Sequence, residues 1–193
     1  MSGGGLLLHL CCAPCAAYPV PALRALVPRV TGFFFNPNIQ PDDEHARRLD
    51  ALEHYAPALG LDLMVAARSV SDALPAATGP GDDRCRRCYE LRLRVTAREA
   101  KRSGFTAFST TLLYSIYQKH DLIRTVAEEI ARAEDITFLY RDLREGWVEG
   151  GRSYRETGLY RQRYCGCLQS KLERDAPRQK KPKLESPAPE KAR

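Results

Sequence analysis

A parallel α/β sheet flanked by helices is the architecture this sequence predicts, and three observations predict it. Five short apolar or β-branched runs occur between residues 6 and 140. Helical periodicity fills most of the gaps between them, and strands alternating with helices are the signature of βαβ units. The residues just after the runs are polar or thiol-bearing. In an open parallel sheet, ligands gather outside the carboxyl ends of the strands.

The first run, Leu6–Leu10, passes directly into Cys11-Cys12-Ala13-Pro14-Cys15. The second, Val30–Phe35, carries Phe33-Phe34-Phe35 as sheet core and exits into Asn36-Pro37-Asn38. A helix follows over Asp43–Leu59, with Ala46, Leu49, Leu52, Ala56 and Leu59 on one stripe, Asp42 or Asp43 as cap and Gly60 as its stop. The third run is Leu61–Ala67. The stretch Cys85–Arg102 reads as a helix with Cys88, Leu91 and Val95 on one face and Gly104 beyond its end. Phe105–Thr110 is the fourth strand, leading through Thr111 to Tyr114-Ser115-Ile116-Tyr117-Gln118-Lys119. His120–Glu134 places Ile123, Val126, Ala127 and Ile130 on a stripe, and Ile136–Tyr140 is the fifth strand, exiting at Arg141-Asp142. Beyond Tyr140 no strong period survives, so that segment predicts a loop or short-helix extension closing over the sheet.

A chain of 193 residues with 44% hydrophobic content suits one domain, taken as residues 1–175. No apolar stretch approaches the ~18 residues of a membrane helix, and the start lacks the basic region of a secretory signal. A cytosolic location is expected, with no membrane partner. Six basic and two acidic residues in Arg178–Arg193 account for four of the net +6 charges. Residues 176–193 therefore predict a basic, disordered tail, either solubilising or a loose arm for nucleic acid.

The seven cysteines carry the chemistry, as Cys11-Cys12-x-x-Cys15, Cys85-x-x-Cys88 and Cys165-x-Cys167. An odd count cannot be used up in paired disulfides. Clustered thiolates select zinc, copper(I) or iron–sulfur centres. If Cys85 and Cys88 open a helix, one turn apart, they share a face, and the helix N-terminus with Arg84, Arg86 and Arg87 lowers their pKa. Three rival readings stand beside a composite metal or redox site. Cys12-Ala-Pro-Cys15 also resembles a thioredoxin-type motif. Cys11, Cys12, Cys85 and Cys88 also make a zinc set, although adjacent cysteines suit tetrahedral zinc poorly. Cys165 and Cys167 also read as buried hydrophobes. His9 reads as a core or supporting histidine, and Arg161-Gln162-Arg163-Tyr164 combines groups that hold phosphates and stack bases.

Five separated blocks carry a resemblance: Leu8–Cys15, Phe35–Pro41, Asp83–Tyr89, Ser109–Leu113 and Gly158–Cys167. Together they resemble the epoxyqueuosine reductase family QueH over residues 6 to about 170. The resemblance implies a fold of the PP-loop or nucleotide-hydrolase (HUP-like) class with sheet order 3-2-1-4-5. It implies a cobalamin-independent oxidoreductase that reduces the epoxide of epoxyqueuosine to queuosine at the wobble position of tRNA. The Ser-Gly-Gly-x-Asp-Ser phosphate loop of ATP-using relatives is missing at the first strand exit, where thiols stand instead.

On that resemblance, Cys11, Cys12, Cys85 and Cys88 would hold a [4Fe–4S] cluster. Cys165 and Cys167 would cycle as a redox-active disulfide, or join Cys15 on a second, mononuclear iron. Asn36, Asn38, Thr110, Tyr117, Lys119, Arg161 and Tyr164 are the candidate substrate contacts, with Tyr117, Lys119 and Asp142 the candidates for protonation. The partners would be tRNA and an electron donor the sequence does not identify. An ATP-dependent PP-loop tRNA thiolase and a zinc-stabilised tRNA-binding module remain the alternatives.

Overall fold

The computed structural model describes residues 4–67 and 81–176. Its five strands are β1 (Leu6–His9), β2 (Val30–Phe34), β3 (Leu63–Val65), β4 (Ala107–Thr110) and β5 (Thr137–Phe138). All pair in parallel, in the order β3-β2-β1-β4-β5. The sequence reading anticipated each strand and the order. The two edge strands are shorter than their apolar runs because an edge strand has a ladder partner on one side only.

Strand β1 lies at the centre, with Leu6 opposite Val30 on one side and Ala107 on the other. Its four residues are fully buried, which explains why Leu6, Leu7 and Leu8 form a continuous apolar run rather than an alternating one. Burying each leucine contributes about 1.5–3 kcal/mol. Because the chain winds first toward β2 and then crosses to β4, the order reverses at β1. A cleft opens at such a reversal, beside the residues following β1.

Among the described residues, six helices accompany the sheet: α1 (Pro19–Arg24), α2 (Asp42–Tyr55), α3 (Gly81–Arg102), α4 (His120–Glu134), α5 (Trp147–Glu156) and α6 (Leu168–Asp175). Helix α4 buries the expected stripe of Ile123, Val126, Ala127 and Ile130, together with His120. Helices α3 and α4 pack on one another, and α3 also lies against β1 and β4.

Helix α2 corrects three expectations. Its cap position is Pro41, and Asp42, Asp43 and Glu44 occupy the first turn, where their charge complements the helix dipole. Gly60, at φ 56°, ends not α2 but a short 3-10 turn over Pro57–Leu59. The face turned inward is Glu44, Arg48, Ala51, Leu52 and Tyr55, whereas Ala46 of the expected stripe is exposed. The cause is a buried ion pair between Glu44 and Arg48, described below, which takes the inner positions.

Helix α3 makes a further correction. It is already formed at Gly81, so Cys85 and Cys88 stand in its second and third turns instead of opening it. Its buried face runs through Cys88, Tyr89, Arg92, Leu93, Thr96 and Ala97, with Leu91 and Val95 at the margin.

The segment after Tyr140 takes the short-helix form of the expected extension, for it contains α5 and α6. Helix α5 docks by closeness rather than bulk: a Cβ on Gly146, its N-cap, would lie 2.1 Å from the Tyr18 ring. Among the described residues, no helix is long and apolar enough to cross a membrane. The basic tail expected over 176–193 lies, beyond Ala176, outside the described residues.

Candidate metal and thiol centre

Strand β1 delivers Cys11 and Cys12 at its carboxyl end, and a 3-10 turn over Ala13–Cys15 folds the third thiol back onto them. The Cys11 and Cys12 sulfurs are 3.5 Å apart. The three Sγ atoms of Cys11, Cys12 and Cys15 all lie within 4.8 Å of one another, and all three residues are buried. Among the described residues, this is the group of soft donors that could hold a metal ion. Thiolates are the species such a metal takes, and here the negative charge is concentrated. Hydrogen bonds from Cys12 and Cys15 hold the Cys11 thiol well below its ordinary range. Burial pushes Cys12 up, and donation to its neighbours does the same for Cys15.

The surrounding polar groups orient these sulfurs. Thr111 Oγ1 accepts from the Cys11 amide at 3.4 Å, and its hydroxyl is shared between the His9 carbonyl at 3.2 Å and Cys11 Sγ at 3.7 Å. His9 is fully buried. Its Nε2 faces the Phe35 carbonyl at 3.2 Å, which only accepts, so Nε2 carries the proton. Nδ1 then accepts from the Thr110 hydroxyl at 2.9 Å, and Thr110 Oγ1 in turn accepts from Leu112 N at 3.1 Å. Burial and the nearby Arg92 charge lower the His9 pKa to about 4, so it serves as a neutral brace. Thr110 is thereby committed to His9.

Three amide side chains present carbonyl oxygens around this centre. Gln162 Nε2 donates to Cys12 Sγ at 2.7 Å, and Asn36 Nδ2 donates to the Leu10 carbonyl at 2.8 Å. Among the described residues, Gln162 Oε1, Asn36 Oδ1 and Asn38 Oδ1 are buried without a hydrogen-bond partner. Orphaned acceptors are rare in folded interiors and point to donors supplied by something bound.

Cys85 and Cys88 lie outside the 4.8 Å group but are linked to it by charge. Arg92, one turn beyond Cys88 on α3, is 3% exposed and donates from Nε to the Cys88 carbonyl at 3.2 Å. Its guanidinium acts on the thiols of Cys88, Cys11 and Cys165, one from each cysteine group. For Cys88 burial outweighs this attraction and raises the thiol pKa, opposite to the direction expected from its arginine neighbours and a helix start. Sequence reasoning does not single out Arg92; its only signal is the i+4 spacing from Cys88.

The third group sits on a turn held by α2. Cys165 and Cys167 sulfurs are 3.6 Å apart. Cys167 caps α6, its sulfur accepting from the Ser170 amide at 3.4 Å. Hydrogen bonds from Cys165 and then Ser170 bring the Cys167 thiol down to about 5, while Cys165 moves up. Neither is a buried hydrophobe: Cys165 is exposed and Cys167 half-buried. The intervening Gly166 has φ 126°, a conformation open to glycine alone, and a Cβ there would lie 2.9 Å from Ile39 Cγ1.

The remaining candidates are spread along the rim. Tyr164 has the guanidinium carbons of Arg48 and Arg174 each 5.2 Å from its ring centre. Arg161 is exposed beside it. Tyr117 is 81% exposed and meets Trp147 edge-on at 5.6 Å. Lys119 pairs with Asp82 at the start of α3. Arg144 holds Asp142 down to about 2, so its carboxyl is ionised at neutral pH and has no proton to donate.

Comparison with known proteins fits this geometry. The family profile for epoxyqueuosine reductase QueH matches residues 6–173. The epoxyqueuosine reductase QueH of Dehalococcoides mccartyi is 35% identical over 170 residues, covering 88% of this chain and 93% of its own. That of Thermotoga maritima is 35% identical over 181 residues, covering 89% and 92%. The Haemophilus influenzae protein of the same name is 30% identical, over 86% of this chain and 71% of its own. The chain, whose 3-2-1-4-5 sheet carries a buried Cys11, Cys12 and Cys15 group at the end of β1, is an oxidoreductase belonging to the QueH family of epoxyqueuosine reductases.

Proposed function

We propose that this protein reduces the epoxide of epoxyqueuosine to the alkene of queuosine at the wobble position of tRNA, in the cytoplasm and without cobalamin. The observation that carries the reading is the buried Cys11, Cys12 and Cys15 group at the sheet's point of reversal, in a chain of this family.

The donor set fits an iron–sulfur centre: clustered, buried, soft sulfurs, one of them already accepting from Gln162. Cys11 and Cys12, with Cys85 and Cys88 from α3, are the proposed ligands of a [4Fe–4S] cluster. Cys15 is left for a second, mononuclear iron. Such a centre supplies electrons at a potential set by burial and nearby charge.

The chain's own residues do the rest. An epoxide plus two electrons and two protons gives an alkene and water, with both C–O bonds broken. Oxidation of the Cys165 thiol and the Cys167 thiolate to a disulfide releases two electrons and one proton, so the electrons match that demand and the second proton comes from solvent. Their 3.6 Å separation brings the sulfurs near the ~2.05 Å of a bond, and the thiolate character of Cys167 suits it to exchange. The unpartnered oxygens of Asn36, Asn38 and Gln162 are acceptors for the hydroxyl groups of the substrate's ring and ribose. The Arg92 charge acts on one thiol of each cysteine group and favours the thiolate form at each.

Anaerobic reconstitution followed by iron and sulfide analysis tests the metal assignment. The expected result is about four irons and four sulfides per chain for the cluster, and loss of its visible absorption in Cys11→Ala and Cys85→Ala. Zinc in stoichiometric amount with no iron would favour a structural zinc module instead.

A further inference from the structure

We infer that the cavity beside the Cys165–Cys167 turn is a phosphodiester subsite, gripping RNA backbone next to the nucleotide presented to the thiols; this rests on the tRNA reading above. The cavity encloses about 490 Å³, within the range of small-ligand sites. Five cations line it: Arg47, Arg161, Arg163, Lys171 and Arg174.

Its two carboxylates are already engaged. Asp43 pairs with Arg47, and Glu44 pairs with the buried Arg48 while accepting from Tyr160. Lys171 and Arg174 share Asp175. Arg161 and Arg163 have no carboxylate partner among the described residues, and both are exposed. Two unpaired guanidiniums in one concavity match a phosphodiester, whose oxygens accept from planar forked donors.

Position narrows the ligand further. Alternate side chains of one short segment serve the two places: Arg161 and Arg163 reach the cavity, while Gln162 between them donates to Cys12 Sγ at 2.7 Å. The arginines of the cavity and the residue that touches Cys12 thus come from one three-residue stretch, which sets the cavity beside the thiol centre. The cavity's aromatic faces are also occupied, Tyr164 by Arg48 and Arg174 and Tyr160 by Arg47. Charge, not an open ring face, is what the cavity offers, so its grip is on backbone and carries no base preference.

The test compares wild-type holoenzyme with the Arg161→Gln/Arg163→Gln and Arg161→Lys/Arg163→Lys double variants. A fluorescein-labelled anticodon stem–loop RNA is titrated by anisotropy across a monovalent salt series. Two lost contacts to single-stranded phosphates should make the salt slope shallower by about 1.4 and weaken binding about 25-fold at 0.1 M salt. The lysine variant should recover the slope, and the KM for tRNA should rise in the glutamine variant. Unchanged RNA affinity and slope in the glutamine variant would overturn the subsite. So would a defect confined to reduction by an acidic electron-carrier protein. A wild-type holoenzyme that shows the arginine-dependent RNA binding but never reduces the epoxide would sink the functional reading and leave the subsite standing.

Discussion

Arg48, in the middle of α2, donates from Nη1 to the backbone carbonyl of Cys165 at 3.1 Å, across 117 positions of sequence. Its Nη2 donates to the Tyr164 carbonyl at 3.0 Å, and its Nε to Glu44 Oε1 at 2.7 Å. Tyr160 then closes the set by donating to Glu44 Oε2 at 2.5 Å. One buried cation thus ties the thiol-bearing turn to the helix that follows β2. The energy involved is not that of a surface ion pair, since both side chains are almost wholly enclosed.

Replacing Arg48 should therefore cost both stability and thiol geometry. Arg48→Met leaves Glu44 charged in an enclosed site, a loss of about 3–5 kcal/mol. Denaturant unfolding checks this. The variant should also form the Cys165–Cys167 disulfide more slowly under a mild oxidant. A stability loss under about 1 kcal/mol with unchanged oxidation would show that Arg48 does not hold the turn.

Gly166→Ala tests the turn itself. At φ 126° an added Cβ is strained and also meets Ile39, so a loss of about 1–3 kcal/mol is expected, with turnover falling further than stability. Thermal melting and tRNA turnover measured side by side decide it. Wild-type behaviour in both would mean the turn can relax without moving the sulfurs.

The Cys165 and Cys167 pair should titrate asymmetrically. With the Cys167 pKa lowered to about 5, its thiolate persists as the pH falls toward 5, and it protonates only below that. In reduced, metal-free protein, iodoacetamide at pH 6.5 should label Cys167 ahead of Cys165. In Cys165→Ala the principal hydrogen-bond donor is lost, so the Cys167 profile should move to higher pH. Peptide mass spectrometry across a pH series reads both; equal labelling of the two thiols at pH 6.5 contradicts the assignment.

Arg92→Gln removes a buried positive charge facing one thiol of each group. A less positive surround stabilises the oxidised form of a metal centre, so its reduction potential should become more negative. Redox titration of the visible spectrum measures this. A potential that stays put or rises would place the Arg92 charge too far from the centre to matter.

What was legible in the sequence follows from what sets each feature. The three inner strands show because parallel strands buried on both faces are mostly apolar, as Leu6, Leu7 and Leu8 illustrate. The cysteine groups show because soft ligands are rare and cluster for a reason. Helix α2 misleads because its inner face contains Glu44 and Arg48, polar residues satisfied by Tyr160, Tyr164 and Cys165 far along the chain. Helix α5 escapes notice for the opposite reason. It approaches Tyr18 and Tyr114 through Gly146 and Gly150, and small residues leave no apolar stripe. Arg92 and Gln162 read as ordinary polar residues until the fold aims them at sulfur.

The central claim is a reduction performed on tRNA by a thiol and iron–sulfur centre. Its most direct test is nucleoside mass analysis after anaerobic incubation of the reconstituted, reduced protein with epoxyqueuosine-containing tRNA. Conversion to a nucleoside lighter by one oxygen, without ATP or cobalamin and lost in Cys11→Ala, is the predicted result. Intact epoxide after incubation with iron-loaded protein, or conversion that requires ATP, would contradict the account.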